Sequence, residues 1–420
     1  MIEALHCFST WRFPLFIFRI LLIAVTTFST LSAKPNIVLF NDTSAWYHWG
    51  CTGTSTALKE GIENIGFEIQ AIPINVTYAL KEVPPFDEFD DSQKFDRFCE
   101  ANPDTVKAIQ NAEAVVITGE GTIHDLRVGP KSLLYLAHIS KKYFSKHVEI
   151  INHSAYPKDD PELSDCFLRN FAVEKERVDE ELTLAQSIYK KIYSELDFVA
   201  IREPFSREAM RKINISSVLS FDCLPLFIRD HYHTKKRVNQ KTAVIAGSVA
   251  FTGEGATQIC RYIEHLESAG FEIKILTGAA AFPANDDVAF VDYLKSHCQA
   301  KWEHVIASSM EEWLDAIHDA AFLVSGRFHH SIAAFCLNTP FIALNSNTHK
   351  VHAICDLLEQ ETPLHFSDPD LLGKLLSKTK AVSKPVDNRA KIAEICELAV
   401  RNFEGLKILI NESSVLERQQ

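Results

Sequence analysis

The sequence predicts an α/β protein built from two domains. Short apolar runs of strand length alternate with segments of helical periodicity from residue 36 onward. The length of 420 residues exceeds that of one ordinary domain, so two domains of about 150 to 200 residues are expected. The polar run His231–Gln240 separates two such α/β units and marks the boundary.

The elements of the first unit follow from its apolar runs. Strands are predicted at Asn36–Phe40, Ala114–Thr118, Val148–Ile151, Phe198–Ile201 and Val218–Phe221. A polar loop over 41–53 and a helix over 55–65 follow the first strand. The charge-rich segment 174–193 predicts a solvated helix before the fourth strand.

The second unit repeats this alternation. Strands are predicted at Thr242–Ala246, Phe271–Leu276 and Ala320–Val324, and helices at 259–269 and 313–320. An amphipathic segment, 388–410, is expected to pack back across one of the two domains. The predicted organisation is a hydrophobic leader at 1–33, an N-terminal domain at 34–235, a C-terminal domain at 236–385 and a C-terminal helix with a tail at 386–420.

Composition excludes some partner classes. Apolar residues make up 46% of the chain, which suffices for a large core. The net charge is -12, and the chain has no long basic run, so nucleic acid is not an expected partner. The ten cysteines lack metal-ligand spacing, which favours free thiols in a reducing compartment and no metal site. His231 and His233 are interpreted as part of the linker.

Residues 13–28 are almost wholly apolar, with Arg19 inside the run. Small residues follow at Ser29, Ser32 and Ala33. This pattern predicts either a signal peptide or a short membrane anchor. Membrane association would then depend on residues 13–28.

The stretch from Ser325 to Phe335 is the most informative part of the chain. It follows a strand-like run and opens a helix-like segment, and such junctions carry binding groups in open α/β sheets. Arg327, His329 and His330 at this junction predict an anionic substrate and proton transfer. Adjacent residues on a helix point about 100° apart, so only one of the two histidines can face a cleft.

Three segments resemble the polysaccharide pyruvyltransferase family. Segment 311–350, with Glu-Glu-Trp-Leu-Asp-Ala-Ile and Ser-Gly-Arg-Phe-His-His, resembles its C-terminal signature. Segment 201–206 with Asp222 resembles its Arg-Glu/Asp-x-x-Ser element, and Gly119–Thr122 resembles its Gly-rich loop. The similarity spans roughly residues 36–350 in the same order. The chain departs from the family's usual Asn-x-Gly-Asp loop at 41–51, and Phe328 stands where Leu is usual.

The resemblance implies a GT-B-like architecture, with two Rossmann-like domains and the active site in the cleft between them. It also implies transfer of a pyruvyl group from phosphoenolpyruvate to a sugar of an exopolysaccharide or cell-surface glycan, as a cyclic ketal. Phosphoenolpyruvate is then a co-substrate, and neither a cofactor nor an obligatory metal is expected. The expected partners are this small-molecule donor and a carbohydrate acceptor.

Roles for individual residues follow from this chemistry. Arg327 and Arg202 suit a carboxylate or phosphate, and His329 suits proton transfer, so these three are the predicted catalytic residues. Donor or anion contacts are expected from Ser325, Lys350, Gly119, Gly121 and Thr122. Acceptor contacts are expected from Asn41, Trp46 and His48, because aromatic faces suit sugar rings.

Structural roles remain open for several of these residues. Arg202 could form an ion pair with Glu203 or Asp222, and Ser325 could cap a helix. Lys350 could be a solvated surface residue. The glycines of the 119–122 turn could serve backbone geometry alone.

Two other functions remain as alternatives. A GT-B nucleotide-sugar glycosyltransferase would use the same helix N-terminus and cations for a diphosphate, and a non-catalytic carbohydrate-binding protein is the third reading. Phosphoenolpyruvate is cytosolic, so a cytoplasmic protein held at a membrane by residues 13–28 is expected. The sequons at Asn75 and Asn214 fit the alternative, the lumen of the secretory pathway.

Overall fold

The computed structural model describes residues 34–46, 48–123, 128–155, 184, 187–235, 241–278, 285–346, 348–382 and 387–419. The apolar segment 13–28 therefore lies outside the described residues, as does most of the predicted helix at 174–193. Residues 187–193 of that prediction are helical. Within the described part of the chain, no helix is long and apolar enough to cross a membrane.

The first domain contains a six-stranded parallel sheet with the order β2-β1-β3-β4-β5-β6. Its strands are β1 (Asn36–Asp42), β2 (Glu68–Pro73), β3 (Ala114–Glu120), β4 (His147–His153), β5 (Phe198–Ile201) and β6 (Val218–Leu219). The central strands are apolar on both faces because helices cover both sides of the sheet.

The second domain contains a five-stranded parallel sheet with the order β11-β10-β7-β8-β9. Its strands are β7 (Thr242–Ser248), β8 (Glu272–Leu276), β9 (Glu303–Val305), β10 (Phe322–Gly326) and β11 (Phe341–Ala343). The predicted α/β class and the two parallel sheets are therefore confirmed.

Helices connect the strands and cover the sheets. In the first domain they are α1 (Trp49–Ile65), α2 (Ile74–Tyr78), α3 (Ser92–Ala101), α4 (Pro103–Asn111), α5 (Val128–Lys142), α6 (Pro204–Lys212) and α7 (Leu224–His231). In the second they are α8 (Gly253–Ser268), α9 (Asn285–His297), α10 (Met310–His318), α11 (Phe328–Cys336), α12 (Lys350–Leu357) and α13 (Leu371–Val382). The chain ends with α14 (Arg389–Val400) and α15 (Glu404–Gln419), and short 3-10 turns lie at Phe86–Glu88 and Arg401–Phe403.

The strand orders place the candidate site. In each sheet the order reverses beside the first strand of the domain, between β1 and β3 in one and between β7 and β10 in the other. Ligands of open α/β sheets bind at the carboxyl ends of strands at such points. The loops after β3 and β10, which carry the Gly-rich turn and the Arg-Phe-His-His motif, both start there.

The C-terminal helices return to the first domain. Asn402 is fully buried, accepts the backbone N–H of Asn152 at 2.7 Å and donates to the carbonyl of Phe221 at 2.8 Å. The ring of Phe403 packs so close to Gly61 that a Cβ there would lie 2.2 Å from it. The amphipathic segment predicted at 388–410 therefore packs on the first domain around residues 402–403, whereas Asn388 at its start bonds Asn338 and Phe335 of the second domain.

A continuous apolar cluster joins the two domains. It includes Ile37 and Leu39 of the first sheet, and Leu323 and Ile332 of the second domain. Shared burial of this kind stabilises one arrangement of the domains, which is the condition for a site with walls from both.

Some sequence predictions need correction. The predicted loop over 41–53 ends earlier, because α1 begins at Trp49. Strands β2, β9 and β11 were not predicted, since each is short or carries few consecutive apolar residues. The sequence Thr-Gly-Glu-Gly occurs at 118–121 and again at 252–255. The first copy ends β3, whereas Thr252 of the second copy caps α8 through its hydroxyl.

Candidate active site

A cavity of about 770 Å³ opens between the two domains. Its volume is typical of small-molecule sites. The first domain contributes Thr43, Trp46, His48, Cys51, Glu120, Gly121, Thr122 and Arg202 to the wall, and the second contributes Gly326, Arg327, Phe328, His329, Ser346 and Lys350.

Arg202 follows β5 and is held from two sides. Its Nη1 donates to Oδ2 of Asp222 at 2.8 Å, and its Nε donates to the hydroxyl of Ser154 at 2.8 Å. The guanidinium lies 4.4 Å from the centre of the Phe328 ring, which is a cation–π distance. The ion pair with Asp222 that the sequence left open therefore exists, and Arg202 lines the cavity as well.

Asp222 is fully buried and holds three groups in place. It accepts hydrogen bonds from the Thr54 hydroxyl at 2.7 Å and from Arg202, and its Oδ2 lies 3.4 Å from Nε2 of His329. Burial alone would raise its pKa, but the charges of His329 and Arg202 outweigh burial and hold the pKa well below its ordinary value. Asp222 is therefore an anion that orients the His329 ring.

Arg327 is the residue before α11, and its side chain is buried against a carboxylate from α9. Nη2 lies 2.6 Å from Oδ1 of Asp287, and the backbone N–H donates to the hydroxyl of Ser325 at 2.9 Å. Arg327, not Ser325, occupies the N-cap position, so the prediction of a Ser325 cap is wrong. The N-terminus of α11 still borders the cavity.

The side chains of His329 and His330 point in different directions, as the sequence predicts. His329 lines the cavity, and its Nδ1 lies 3.9 Å from Sγ of Cys51. His330 is fully buried, where its Nε2 accepts the indole N–H of Trp313 at 3.3 Å. Burial lowers the pKa of His330 to about 3, with help from Arg327, so its ring is neutral.

Lys350 is the first residue of α12 and enters the cavity. Burial, followed by repulsion from Arg202, lowers its pKa to about 8. A Cβ on Gly121 would lie 3.4 Å from Nη2 of Arg202 and 3.5 Å from Nζ of Lys350. The Gly121 backbone therefore borders the same space as the two cations.

A buried polar cluster holds α12 against α6. Nε2 of His349, the residue before Lys350, lies 2.9 Å from the Ser206 hydroxyl and 2.9 Å from Oε1 of Glu203. Glu203 also caps α6 by accepting the backbone N–H of Ser206 at 2.9 Å. Glu203 and Ser206 of the Arg-Glu-x-x-Ser element thus fix the position of Lys350. Arg202 of the same element lines the cavity.

Glu120 provides a carboxylate on the cavity wall. It is 5% exposed, has a positive φ of 40° and accepts the Thr43 hydroxyl at 2.7 Å. Non-glycine residues at positive φ are uncommon and cluster at functional sites. Burial, followed by the nearby Glu120 carboxylate, raises the pKa of the Cys51 thiol well above its ordinary value.

The aromatic residues around the start of α1 contact the second domain. The indole N–H of Trp49 donates to the carbonyl of Ala307 at 3.0 Å, and its backbone N–H donates to Gly278 at 3.1 Å. His48 lines the cavity 6.0 Å from the His329 ring, and burial with the nearby Arg327 charge lowers its pKa well below the ordinary value. One possible ligand atom each from His48, Cys51 and His329 lies within 4.8 Å of the others, so this group could hold a metal ion.

Most of the predicted site residues meet in this one cavity, and three lie behind its wall. Asn41 is buried with its amide on the carbonyl of Thr118 at 2.6 Å. Gly119 is packed on His153, where a Cβ would lie 2.6 Å from the ring-bearing carbon. Ser325 is fully buried and supports Arg327. These three residues support the wall and do not line the cavity.

Sequence reasoning missed Glu120, Cys51 and Asp287. Glu120 stands inside the 119–122 turn, where only Gly119, Gly121 and Thr122 were selected. Its place at a strand end within a Gly-rich turn was a usable signal. Asp287 and Cys51 carry no such signal in the sequence, because their roles depend on contacts with residues far away in the chain.

Comparison with known proteins decides the family. A family model described as polysaccharide pyruvyl transferase matches residues 71–348, which is most of the chain and includes the loop after β3, Arg202 and the Arg-Phe-His-His motif. This chain belongs to the polysaccharide pyruvyl transferase family. The family indicates a transferase that acts on polysaccharide. No curated protein matches the chain.

Solved structures confirm the GT-B fold. UDP-N-acetylglucosamine 2-epimerase from Rickettsia bellii has a TM-score of 0.55 at 11% identity over 92% of this chain and 98% of that one. Sucrose-phosphate synthase from Thermosynechococcus elongatus has a TM-score of 0.53 at 13% identity over 92% and 99%. UDP-GlcNAc 2-epimerase from Neisseria meningitidis bound to UDP-GlcNAc has a TM-score of 0.53 at 10% identity over 91% and 99%.

Proposed function

We propose that this protein transfers the pyruvyl group of phosphoenolpyruvate to a sugar of a glycan as a cyclic ketal. One observation carries the proposal: Arg202, Arg327 and Lys350 line the same cavity as His329. Three cations beside the His329 imidazole suit a small donor that carries both a phosphate and a carboxylate. Family membership supports this choice of reaction.

Donor binding would use the cations from both domains. Asp222 and Asp287 hold Arg202 and Arg327 in fixed positions, so little side-chain freedom is lost when an anion binds. Lys350 adds a further charge from α12, and the N-terminus of α11 adds its partial positive charge. No cofactor is proposed, since phosphoenolpyruvate itself brings the reactive enol ether.

The imidazole of His329 would supply the proton that activates the donor. Proton transfer to C3 of the enol converts C2 into an oxocarbenium-like centre. A sugar hydroxyl then attacks C2, and its proton passes to the Glu120 carboxylate. The C2–O bond to phosphate breaks, and the departing phosphate takes the proton held by Glu120. The second hydroxyl then closes the ring at C2, and its proton returns to His329.

The acceptor would lie on the side of the first domain. Trp46 and His48 line the cavity there with Glu120. Aromatic faces pack on the C–H faces of sugar rings. Asn41, which was also predicted to contact the acceptor, would act by supporting the strand end and not by touching the sugar.

A second function is favoured by the fold comparison. The similar structures include sucrose-phosphate synthase and UDP-GlcNAc epimerases. A nucleotide-sugar glycosyltransferase would place its diphosphate where we place phosphoenolpyruvate. A carbohydrate-binding protein without catalysis is the third possibility.

A ligand screen separates these functions. Thermal unfolding is measured with phosphoenolpyruvate, with UDP-sugars and with glycan fragments, for the wild type and for folded Arg327→Ala and His329→Ala variants. Our proposal predicts stabilisation of the wild type by phosphoenolpyruvate and loss of that stabilisation in Arg327→Ala. Stabilisation by a UDP-sugar with none by phosphoenolpyruvate would establish the second function instead.

We also propose a cytoplasmic location, because phosphoenolpyruvate is a cytosolic metabolite. Asn75 is exposed in α2 and Asn214 is exposed after α6, so both asparagine side chains are accessible in the folded protein. Glycan attached to either asparagine in protein from the native host would contradict the proposal and place the protein in the secretory pathway.

A further inference from the structure

His48, Cys51 and His329 bring two imidazoles and a thiol to one point of the cavity wall. Their ligand atoms lie within 4.8 Å of one another, and the Cys51 sulfur lies 3.9 Å from Nδ1 of His329. A tetrahedral zinc ion holds sulfur and nitrogen ligands at about 2.3 and 2.0 Å, so its ligand atoms are roughly 3.5 Å apart. Side-chain movements of roughly 1 Å therefore complete the geometry.

Local structure favours this convergence. His48 is the residue before α1 and Cys51 is its third residue, so the two share one face of the first helical turn. Gly50 lies against His329, where a Cβ would be 2.1 Å from the Cβ of His329. The start of α1 is thus pressed onto the start of α11, which brings the thiol to the second domain.

His329 is already oriented as a metal-binding histidine. Nδ1 faces Cys51, and Nε2 faces the buried Asp222 carboxylate at 3.4 Å. Metal-bound histidines characteristically donate their second ring N–H to a carboxylate of this kind, which fixes the ring and strengthens the other nitrogen as a ligand.

The surrounding charges permit a cation. Arg202 and Arg327 lie nearby, but each is paired with a buried aspartate, Asp222 and Asp287 respectively. The Glu120 carboxylate, which lines the same cavity, offsets the charge of Lys350. The charged side chains around His48, Cys51 and His329 therefore have no large net charge.

We propose that His48, Cys51 and His329 bind one Zn²⁺ ion that inhibits the protein. Two imidazoles and a thiolate are ligands that zinc prefers, and the fourth position faces the cavity and takes water. On binding, the Cys51 S–H bond breaks, its proton passes to solvent and a sulfur–zinc bond forms, while His329 donates its Nδ1 lone pair. Inhibition rests on the proposed function, in which His329 supplies a proton, whereas binding does not.

Cobalt spectroscopy tests the binding without reference to activity. Co²⁺ replaces Zn²⁺ at such sites and gives intense visible bands in tetrahedral geometry, with thiolate-to-cobalt charge transfer in the near ultraviolet. We expect both signals to saturate at one Co²⁺ per chain in reduced wild-type protein, and Zn²⁺ to abolish them. Cys51→Ser should lose the charge-transfer band, and His48→Gln should bind Co²⁺ at least tenfold more weakly.

The matched control is Cys99→Ser, which removes a partly buried thiol on α3 and should leave the spectrum unchanged. Thermal unfolding verifies that each variant is folded. Absence of the bands in wild-type protein, or an unaltered charge-transfer band in Cys51→Ser, would overturn the site. If Cys51→Ser does not fold, the affinity of His48→Gln for Co²⁺, which we expect to be lower than that of the wild type, decides whether the site exists.

Transfer assays then test the inhibition. Stoichiometric Zn²⁺ should abolish pyruvyl transfer by the wild type, and a chelator should restore it. Whatever activity Cys51→Ser retains should resist the same Zn²⁺ concentration. Full transfer activity of the wild type with Zn²⁺ bound would overturn the proposed inhibition. A wild type that shows no transfer activity in the presence of a chelator would contradict the proposed function, and the cobalt result would still stand.

Discussion

Oδ2 of Asp222 lies 3.4 Å from Nε2 of His329, the imidazole that we propose as the proton donor. The same oxygen accepts the guanidinium of Arg202 at 2.8 Å. One buried carboxylate from the first domain thus fixes a cation of its own domain and a histidine of the other. The cavity is assembled only when the two domains meet.

Replacing Asp222 by Asn should therefore affect both stability and activity. The amide cannot neutralise the buried Arg202, so we expect the free energy of unfolding to fall by about 3 to 5 kcal/mol. Transfer activity should fall about 100- to 10,000-fold because His329 loses its orienting anion. Denaturant unfolding and steady-state kinetics measure the two effects.

The matched control is Asp315→Asn on α10, a partly exposed carboxylate that bonds Tyr232 and Lys235. Its removal should cost about 1 kcal/mol or less. An Asp222→Asn protein that equals this control in stability and activity would contradict the role we give to Asp222.

Gly50→Ala should move the start of α1 away from the start of α11. The new Cβ would lie 2.1 Å from the Cβ of His329, so α1 or α11 must shift. We expect a loss of about 1 to 3 kcal/mol in unfolding free energy and a larger relative loss of transfer activity. The control is Gly253→Ala at the start of α8, where the nearest atom is 3.8 Å away. Equal behaviour of the two variants would count against a close α1–α11 contact.

Lys350 should make donor binding depend on pH. Its pKa is lowered to about 8, so its positive charge is present below that pH and is lost above it. Affinity for phosphoenolpyruvate, measured by calorimetry, should therefore fall between about pH 7 and pH 9 in the wild type. Lys350→Met should bind the donor more weakly at neutral pH and lack this dependence.

The same shift predicts the direction of a stability change. The folded pKa lies below the unfolded value of about 10.4, so the native state binds fewer protons between these values. The free energy of unfolding should therefore rise between about pH 8 and pH 10, and this rise should be larger in the wild type than in Lys350→Met. Equal pH dependence of the two proteins would show that Lys350 is solvated in the folded protein.

Asn402→Ala should loosen the C-terminal helices. The side chain accepts the backbone N–H of Asn152 and donates to the carbonyls of Phe221 and Ala399, and all of these bonds are buried. We expect a loss of about 2 to 4 kcal/mol, because the backbone groups stay buried without partners. Arg401→Ala, at a partly exposed neighbour, should lose less than about 1 kcal/mol by the same denaturant measurement. Hydrogen exchange should rise across residues 389–411 in Asn402→Ala alone.

Local patterns sufficed for the fold class and for the core of the site. Eight apolar runs became parallel strands, because a buried strand of a parallel sheet must be apolar along its whole length. Arg327 and His329 were identifiable because a strand-to-helix junction is marked in the sequence by the change of period. The free thiols expected from the cysteine spacing are present in the described part of the chain.

Roles that depend on distant partners were not accessible. Ser325 has the residue type of a helix cap, yet its hydroxyl accepts the N–H of Arg327 before the helix begins. Asn41 has the residue type of a ligand contact, yet its amide is used by the carbonyl of Thr118, 77 residues later. Residue type restricts which bonds a side chain can make, but the nearest partner decides which bond forms.

The sequence by itself determined the alternation of strands and helices in two α/β units and the position of the Arg-Phe-His-His junction, because strand and helix periods are local properties. Only the tertiary structure decided that Asp222 of one domain orients His329 of the other, and that Cys51 and Glu120 complete the cavity. These contacts cross the domain boundary. They arise from packing of α1 against α11, which no local pattern encodes.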